Sequence, residues 1–355
     1  QLGLNCNFSC DYCAQSDKDN SLEVKRIARS EDVERFLDNV KSKFSLDEEI
    51  IFELWGGEPF LYWKVFQQVS DGLLTFFPNC KIVTTSNGSL ITEEITNWIL
   101  NNQRVEVILS HDGPGKYRDE DILFKPEIYN LYHKLIRQDR FLKFNCVLTI
   151  DNLSVTKIRD YIAEKLNVSP LQIILLTEGL AVPINHEAIV PSLENLKELY
   201  NEMINGKSLF IYGHELIDFF DTIALNKPNY CIEQNSGLDR EDVLVINLRT
   251  QNIVTCQNTL PEGKHNLGHL NDLNSVQLNT VHHWRSRNNC SNCPVLVFCK
   301  GCCLYLENEN FESACHSQFF YRLPFLCASI YWITGLRPVS LYSSMGNYDL
   351  SVMTS

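Results

Sequence analysis

Three cysteines near the start of the chain, Cys6, Cys10 and Cys13, stand in the spacing C-x3-C-x2-C directly after a short apolar stretch. Three thiolates on one tight loop can hold three irons of a cubane iron–sulfur cluster, which leaves the fourth iron open to a small molecule. A zinc site would normally take four ligands, so a zinc reading of this loop needs a distant fourth partner. A second cysteine set lies toward the other end. Cys290, Cys293, Cys299 and Cys303 follow C-x2-C-x5-C-x3-C, with Cys302 beside Cys303, Cys315 after eleven intervening residues, and Cys231 and Cys256 upstream. Paired C-x2-C knuckles also build zinc ribbons, so zinc stays open here too. Cys80, Cys146 and Cys327 fall singly in apolar segments, where a free thiol packs as a small hydrophobe, and they are assigned no chemistry.

The elements that must position these groups alternate. Ile50–Leu54, Lys81–Thr85, Val105–Leu109, Phe144–Ile150 and Gln172–Leu176 read as strands, and the segments between them carry apolar residues at helical spacing. Strand, helix, strand repeated in this way predicts a parallel sheet with crossover helices. With Gln1–Asn5 as a first strand there are six βα units, fewer than the eight of a closed barrel. Periodicity does not choose between an incomplete barrel and a doubly wound sheet. Past about residue 225 the pattern changes: 243–254 reads as a hairpin turning at Arg249-Thr250-Gln251-Asn252, and 290–315 has little periodicity. A small domain organised by metal is expected there. The expected divisions are 1–210 for the α/β part, 211–335 for a linker and the cysteine-rich domain, and 336–355 for a tail.

Composition narrows the function. With 44% hydrophobic residues in 355, a sizeable core is available. A net charge of −13 and no long Lys/Arg cluster argue against nucleic acid as a partner. The lack of an apolar run of about 18 residues argues against a membrane span. Fourteen cysteines in a long chain, with no visible signal peptide in a sequence beginning at Gln1, favour metal ligation in a cytoplasmic, reducing setting over a secreted disulfide scaffold.

Four segments at successive strand ends carry a resemblance. The stretch Asn5-Cys6-Asn7-Phe8-Ser9-Cys10-Asp11-Tyr12-Cys13 resembles the signature loop of radical S-adenosylmethionine enzymes. Gly56-Gly57-Glu58-Pro59 is similar to the family's glycine-glycine-glutamate motif, and Ser86-Asn87-Gly88 and Ser110-His111-Asp112-Gly113-Pro114 resemble the segments lining its cofactor pocket. Each of the last three is also ordinary turn chemistry. The resemblance implies a partial (β/α)6 barrel, a 4Fe-4S cluster on Cys6, Cys10 and Cys13, and S-adenosylmethionine on the open iron, cleaved to a 5′-deoxyadenosyl radical. It also implies cofactor contacts from Tyr12, Gly56, Gly57, Glu58, Ser86, Asn87, Ser110 and Asp112.

The later cysteines resemble a SPASM domain, the extension that holds one or two auxiliary 4Fe-4S clusters in enzymes that modify peptides. Carried over, Cys290, Cys293, Cys299 and Cys315 hold one cluster, and Cys231, Cys256 and Cys303 hold the other, with an iron left open or filled by Cys302. The family often has a glycine where Gln251 stands. Its sulfatase-maturing members carry an Asp where Gln257 stands, which argues against sulfatase maturation. The implied function is modification of a ribosomally made precursor peptide by crosslinking or epimerisation, with electrons from a flavodoxin or ferredoxin. Cys302 is a weak catalytic candidate as hydrogen-atom donor, while no acid or base can be read among His111, Asp112 and Glu178. The alternatives are a radical enzyme acting on a small molecule or sugar, and a zinc-organised interaction protein without catalytic activity.

Overall fold

The computed structural model describes residues 1–13, 27–181, 187–224, 243–277, 284–303, 306–343 and 345–355. Its main sheet is a parallel, curled half-barrel of five strands in sequential order: β1 (Ile51–Glu53), β2 (Lys81–Ser86), β3 (Val105–Ser110), β4 (Lys143–Leu148) and β5 (Ile174–Leu180). Helices α1 (Ser30–Lys43), α2 (Trp63–Phe76), α3 (Glu93–Asn101), α4 (Pro126–Ile136) and α5 (Val155–Leu166) alternate with the strands, as the periodicity predicts. Their starts are written locally. Thr92 caps α3 by accepting from the Ile95 amide, and Pro126 opens α4 where its missing N–H is harmless.

The expected first strand over residues 1–5 is not a regular strand. It makes one parallel bridge, Gly3 to Gly56, flanked by Leu2 N–H to the Trp55 carbonyl (2.7 Å) and Glu58 N–H to the Asn5 carbonyl (2.9 Å). This segment extends the parallel order by one place beside β1, then bends away into the cysteine loop.

The chain divides into two compact units interleaved in sequence: Gln1–Cys146, Ile162–Leu176 and Arg240–Thr280 in one, Val147–Tyr161, Thr177–Asp239 and Val281–Ser355 in the other. The first also contains the antiparallel sheet of β6 (Val245–Ile246), β7 (Asn252–Val254) and β8 (Asn266–His269). The hairpin expected over 243–254 is its β6–β7 pair, and Gln251 takes a left-handed φ of 59° at the turn. In this unit an aromatic cluster packs α2 and α3. Phe66 is fully buried, with ring centroids of Phe60 at 5.3 Å, Trp63 at 5.8 Å and Trp98 at 5.7 Å.

The second unit is built on helices α6 (Leu193–Ile204), α7 (Leu209–Ala224), α8 (Leu296–Cys299), α9 (Asn308–Thr334) and α10 (Ser351–Thr354), with a hairpin of β9 (Ser340–Ser343) and β10 (Gly346–Asp349). The long α9 packs on α6, α7 and α8. It was not legible as a helix because its apolar residues surround the axis rather than forming one stripe. Within 290–315, where the sequence has little periodicity, Cys299 ends α8 and Cys315 lies on α9. Aromatic contacts join these helices, Phe219 to Phe298 at 5.3 Å, Phe298 to Phe325 at 5.9 Å and Tyr212 to Phe325 at 4.8 Å. No described helix is long and apolar enough to cross a membrane.

Truncating Phe66 to Ala leaves a cavity among rings that cannot close over it. We expect a cost of about 3–5 kcal/mol in a denaturant titration of the metal-free chain. A loss below about 1 kcal/mol contradicts the central place given to this ring.

Candidate active site

Glu58 anchors the first site. It follows β1, is fully buried, and caps the short turn Pro59–Tyr62. Its Oε1 accepts from the Phe60 amide (3.0 Å) and the Ser86 hydroxyl (2.7 Å), and its Oε2 accepts from the Asn87 amide (2.7 Å). Burial raises its pKa, and these three donors only partly offset the rise. A cation placed against this carboxylate would relieve that cost. Ser86 is spent on supporting Glu58 and on receiving the Gly88 amide (2.9 Å). Ser110 is half-buried at the end of β3.

The glycines before Glu58 have a steric reason. A Cβ on Gly57 would lie 2.2 Å from the Asn5 carbonyl oxygen and 2.5 Å from that of Leu4, and one on Gly56 would lie 3.0 Å from the Gly3 oxygen. Only a backbone without a side chain lets the segment before Cys6 run this close. The Tyr62 hydroxyl completes the junction by accepting from the Asn5 amide at 2.8 Å.

The cysteine loop is tied to the ends of β2 and β3 by polar contacts. Asn87 Nδ2 donates to Asn7 Oδ1 (3.0 Å) and toward Cys6 Sγ (3.8 Å), while Asn7 Nδ2 donates to Ser89 Oγ (2.8 Å). The Ser9 amide donates to Asp119 Oδ2 at 2.8 Å. The Tyr12 hydroxyl donates to Asp112 Oδ2, and Asp112 also pairs with Arg118, at 2.7 Å through Nε and 3.1 Å through Nη2. The Arg118 guanidinium lies 5.7 Å from the Tyr12 ring centroid. Thus Cys6, Cys10, Cys13, Tyr12, Glu58, Asn87 and Asp112 belong to one neighbourhood.

Three residues of this neighbourhood were missed: Arg118, Asp119 and Tyr62. The first two sit in an aperiodic stretch, and their only signal was polar residues shortly after Gly113-Pro114. His111 is a structural residue here. Its Nδ1 accepts from the Gly113 amide (3.1 Å), which leaves the proton on Nε2 facing Asp121 Oδ1 (2.9 Å).

Thiol chemistry fits the same picture. Burial pushes Cys10 up to about 11, with Arg118 pulling back toward the thiolate, and burial also raises Cys6. A soft, all-sulfur donor set suits iron–sulfur or zinc, and three thiols on one loop leave one corner of a cubane without a protein ligand. Among the described residues, no three His, Cys, Asp or Glu close around a single-ion position.

In the second unit, Cys290, Cys293, Cys299, Cys302 and Cys315 line one pocket with Leu296, Phe311 and Phe319. Burial raises Cys315 to about 12 and Cys293 to about 11, and the neighbouring thiols add to each rise. The four cysteines carried over to one cluster are therefore mutual neighbours. Cys303 is exposed and does not line the pocket, whereas Cys302 does. Cys256 follows β7 in the first unit, half-buried, and receives the Asn258 amide at 3.4 Å. Cys231 lies outside the described residues. Glu178 is exposed in the second unit.

No family model matches the chain. It is 26% identical over 330 residues to the radical SAM cyclopropyl synthase TigE of Paramaledivibacter caminithermalis, covering 84% of this chain and 66% of TigE. The chain thus spans about two thirds of that relative's length. It is 25% identical over 286 residues to the uncharacterized protein MJ0907 of Methanocaldococcus jannaschii, covering 78% of this chain and 89% of that one. Among solved structures, anSMEcpe with bound AdoMet superposes with a TM-score of 0.64 at 18% identity, covering 92% of each chain. Streptococcus suis SuiB superposes with a TM-score of 0.50 at 15% identity, covering 85% of this chain and 71% of SuiB. Sequence and fold together make this chain a homologue of radical SAM enzymes with the fold of their SPASM-type members.

The two glycines separate by their contacts. Gly57→Ala should lower the denaturation midpoint of the metal-free chain well below that of Gly56→Ala, because its Cβ meets backbone that cannot swing aside. Equal midpoints for the two variants contradict the close approach.

Proposed function

We propose that Cys6, Cys10 and Cys13 hold a 4Fe-4S cluster with S-adenosylmethionine on its open iron, and that the chain uses this pair to modify a ribosomally made peptide. The observation that carries the reading is the convergence, at one end of the parallel sheet, of the three-thiol loop, the buried Glu58 and the Tyr12–Asp112–Arg118 group. When bound, the cluster supplies the electron that cleaves S-adenosylmethionine to methionine and a carbon radical able to abstract a hydrogen atom.

The protein's own residues bind and orient. Glu58, held by three donors, receives the methionine ammonium group as a charge-assisted acceptor. Tyr12, fixed through its hydroxyl to Asp112, offers its ring face to the adenine. Asn87 and Asn7 keep the loop closed over Cys6. Hydrogen-atom abstraction itself moves no free proton and needs no base; a crosslinking outcome would in addition release one proton to solvent and one electron, which an auxiliary cluster would accept.

Support for a peptide substrate comes from neighbours of the same fold: anSMEcpe solved with AdoMet and the Kp18Cys peptide, and SuiB solved with the precursor peptide SuiA. The name of TigE adds carbon–carbon bond formation as one outcome; epimerisation, with Cys302 as hydrogen-atom donor, is another. Gln257 after Cys256 argues against sulfatase maturation. Cys290, Cys293, Cys299 and Cys315 are assigned to one auxiliary cluster, and Cys231, Cys256 and Cys303 to a second. Their electrons come from a flavodoxin- or ferredoxin-like donor.

Anaerobically reconstituted protein should carry about eight to twelve irons per chain and release 5′-deoxyadenosine once reduced. Replacing Cys6, Cys10 and Cys13 by Ala should abolish that release; one or two zincs and no iron would overturn the reading. Glu58→Gln removes a charged acceptor, so S-adenosylmethionine should bind about ten- to a hundredfold more weakly in equilibrium dialysis, and unchanged affinity contradicts the role given to Glu58. Co-expression with a candidate precursor peptide, read by mass spectrometry, separates crosslinking (loss of two hydrogens) from epimerisation (deuterium uptake from solvent). A peptide that never changes argues for a small-molecule substrate.

A further inference from the structure

Arg287 lies three residues before Cys290 and is buried. Its Nη1 donates to the Gly301 carbonyl (2.7 Å), and its Nη2 donates to those of Cys303 (3.0 Å) and Leu306 (3.0 Å). The guanidinium also lies 3.9 Å from the Phe311 ring centroid. Every one of these partners is neutral, and among the described residues no carboxylate pairs with it. Arg322, a half-buried arginine of the same unit, differs: Glu215 grips it at 2.9 and 3.0 Å. A buried guanidinium without a counter-ion is costly unless a negative charge is nearby.

The cysteine pocket adjoins this guanidinium: Gly301, whose carbonyl Arg287 holds, lines it together with Cys290, Cys293, Cys299, Cys302 and Cys315, and the Cys290 amide donates to the Arg287 carbonyl at 3.2 Å. The turn it holds is strained as well. Lys300, Gly301 and Cys302 take successive left-handed φ values of 52°, 84° and 62°, a conformation that two non-glycine residues keep only when their surroundings hold it.

Resting on the cluster reading above, we infer that Arg287 is a positioning residue of the Cys290–Cys315 cluster. It clamps the Lys300–Cys303 turn through backbone carbonyls and balances the cluster's negative charge, which raises its reduction potential. Cluster potentials respond to net charge, hydrogen bonding and exposure, and a cation favours the more negative, reduced state.

The test is a redox titration of the whole reconstituted chain, followed by electron paramagnetic resonance with dithionite as the one-electron donor, together with iron content per chain. In Arg287→Gln, one auxiliary signal should need a potential lower by at least a tenfold change in the reduced-to-oxidised ratio, about 59 mV for one electron, while the other signals stay in place. Arg287→Lys keeps the charge and should titrate close to the parent. Should Arg287→Gln fail to hold the cluster, retention by Arg287→Lys still supports the charge role. An unmoved signal in Arg287→Gln, an equal shift in both variants, or loss of iron from both overturns the inference. A parent chain that never takes up more than about four irons overturns the auxiliary-cluster reading itself, and iron content separates that failure from the others.

Discussion

The structure depends on how closely the backbone after β1 can approach the segment before Cys6. The cysteine loop has few apolar side chains to fold it, so it must be held by hydrogen bonds from a rigid frame. That frame is the pair of carbonyls at Gly3 and Asn5, which accept from Gly57 (3.1 Å) and Glu58 (2.9 Å). No Cβ fits at Gly57. The same approach seats Glu58 inside the protein, where Ser86 and Asn87 at the end of the next strand can reach it. One backbone contact therefore sets both the thiol loop and the acceptor expected to face its ligand. A parallel half-barrel suits this task, because it gathers consecutive strand ends along one edge.

The second unit positions its cysteines by a different route. Helical packing carries the work: the Phe219–Phe298–Phe325 contacts fix α8 against α7 and α9. Cys299 and Cys315 are thereby borne on helices, while Cys290 and Cys293 lie on turns closed by Cys290 N–H to the Arg287 carbonyl and Cys293 N–H to the Cys290 carbonyl. Thiols that burial makes reluctant to ionise are collected around a single pocket with a buried cation behind them.

Much of the first site could be read from the sequence because its signals are local. The cysteine spacing, the paired glycines and the strand-end turns each occupy a few consecutive residues. Tyr62 escaped notice because its partner Asn5 lies 57 positions away, and Arg118 because it sits in an aperiodic stretch and faces Tyr12, far along the chain, as well as the nearby Asp112. Helix α9 escaped for a related reason: a helix buried on several sides has no amphipathic period to betray it. Ser86 and His111 were legible as turn residues, but only the structure separates them, one supporting Glu58 and the other closing its own turn on Asp121. The five-strand sheet with a single extra bridge, in place of six regular strands, reflects the sharp departure of residues 5–6 toward the cysteine loop, which strand propensity does not encode.

The central claim is that Cys6, Cys10 and Cys13 leave one iron free for S-adenosylmethionine. Electron paramagnetic resonance of the reduced, reconstituted chain, recorded with and without S-adenosylmethionine, tests it most directly. The account predicts that one reduced-cluster spectrum changes on addition of S-adenosylmethionine and that this spectrum is missing when Cys10 is replaced by Ala. Spectra that are indifferent to S-adenosylmethionine, or a responsive signal that survives Cys10→Ala, would contradict it.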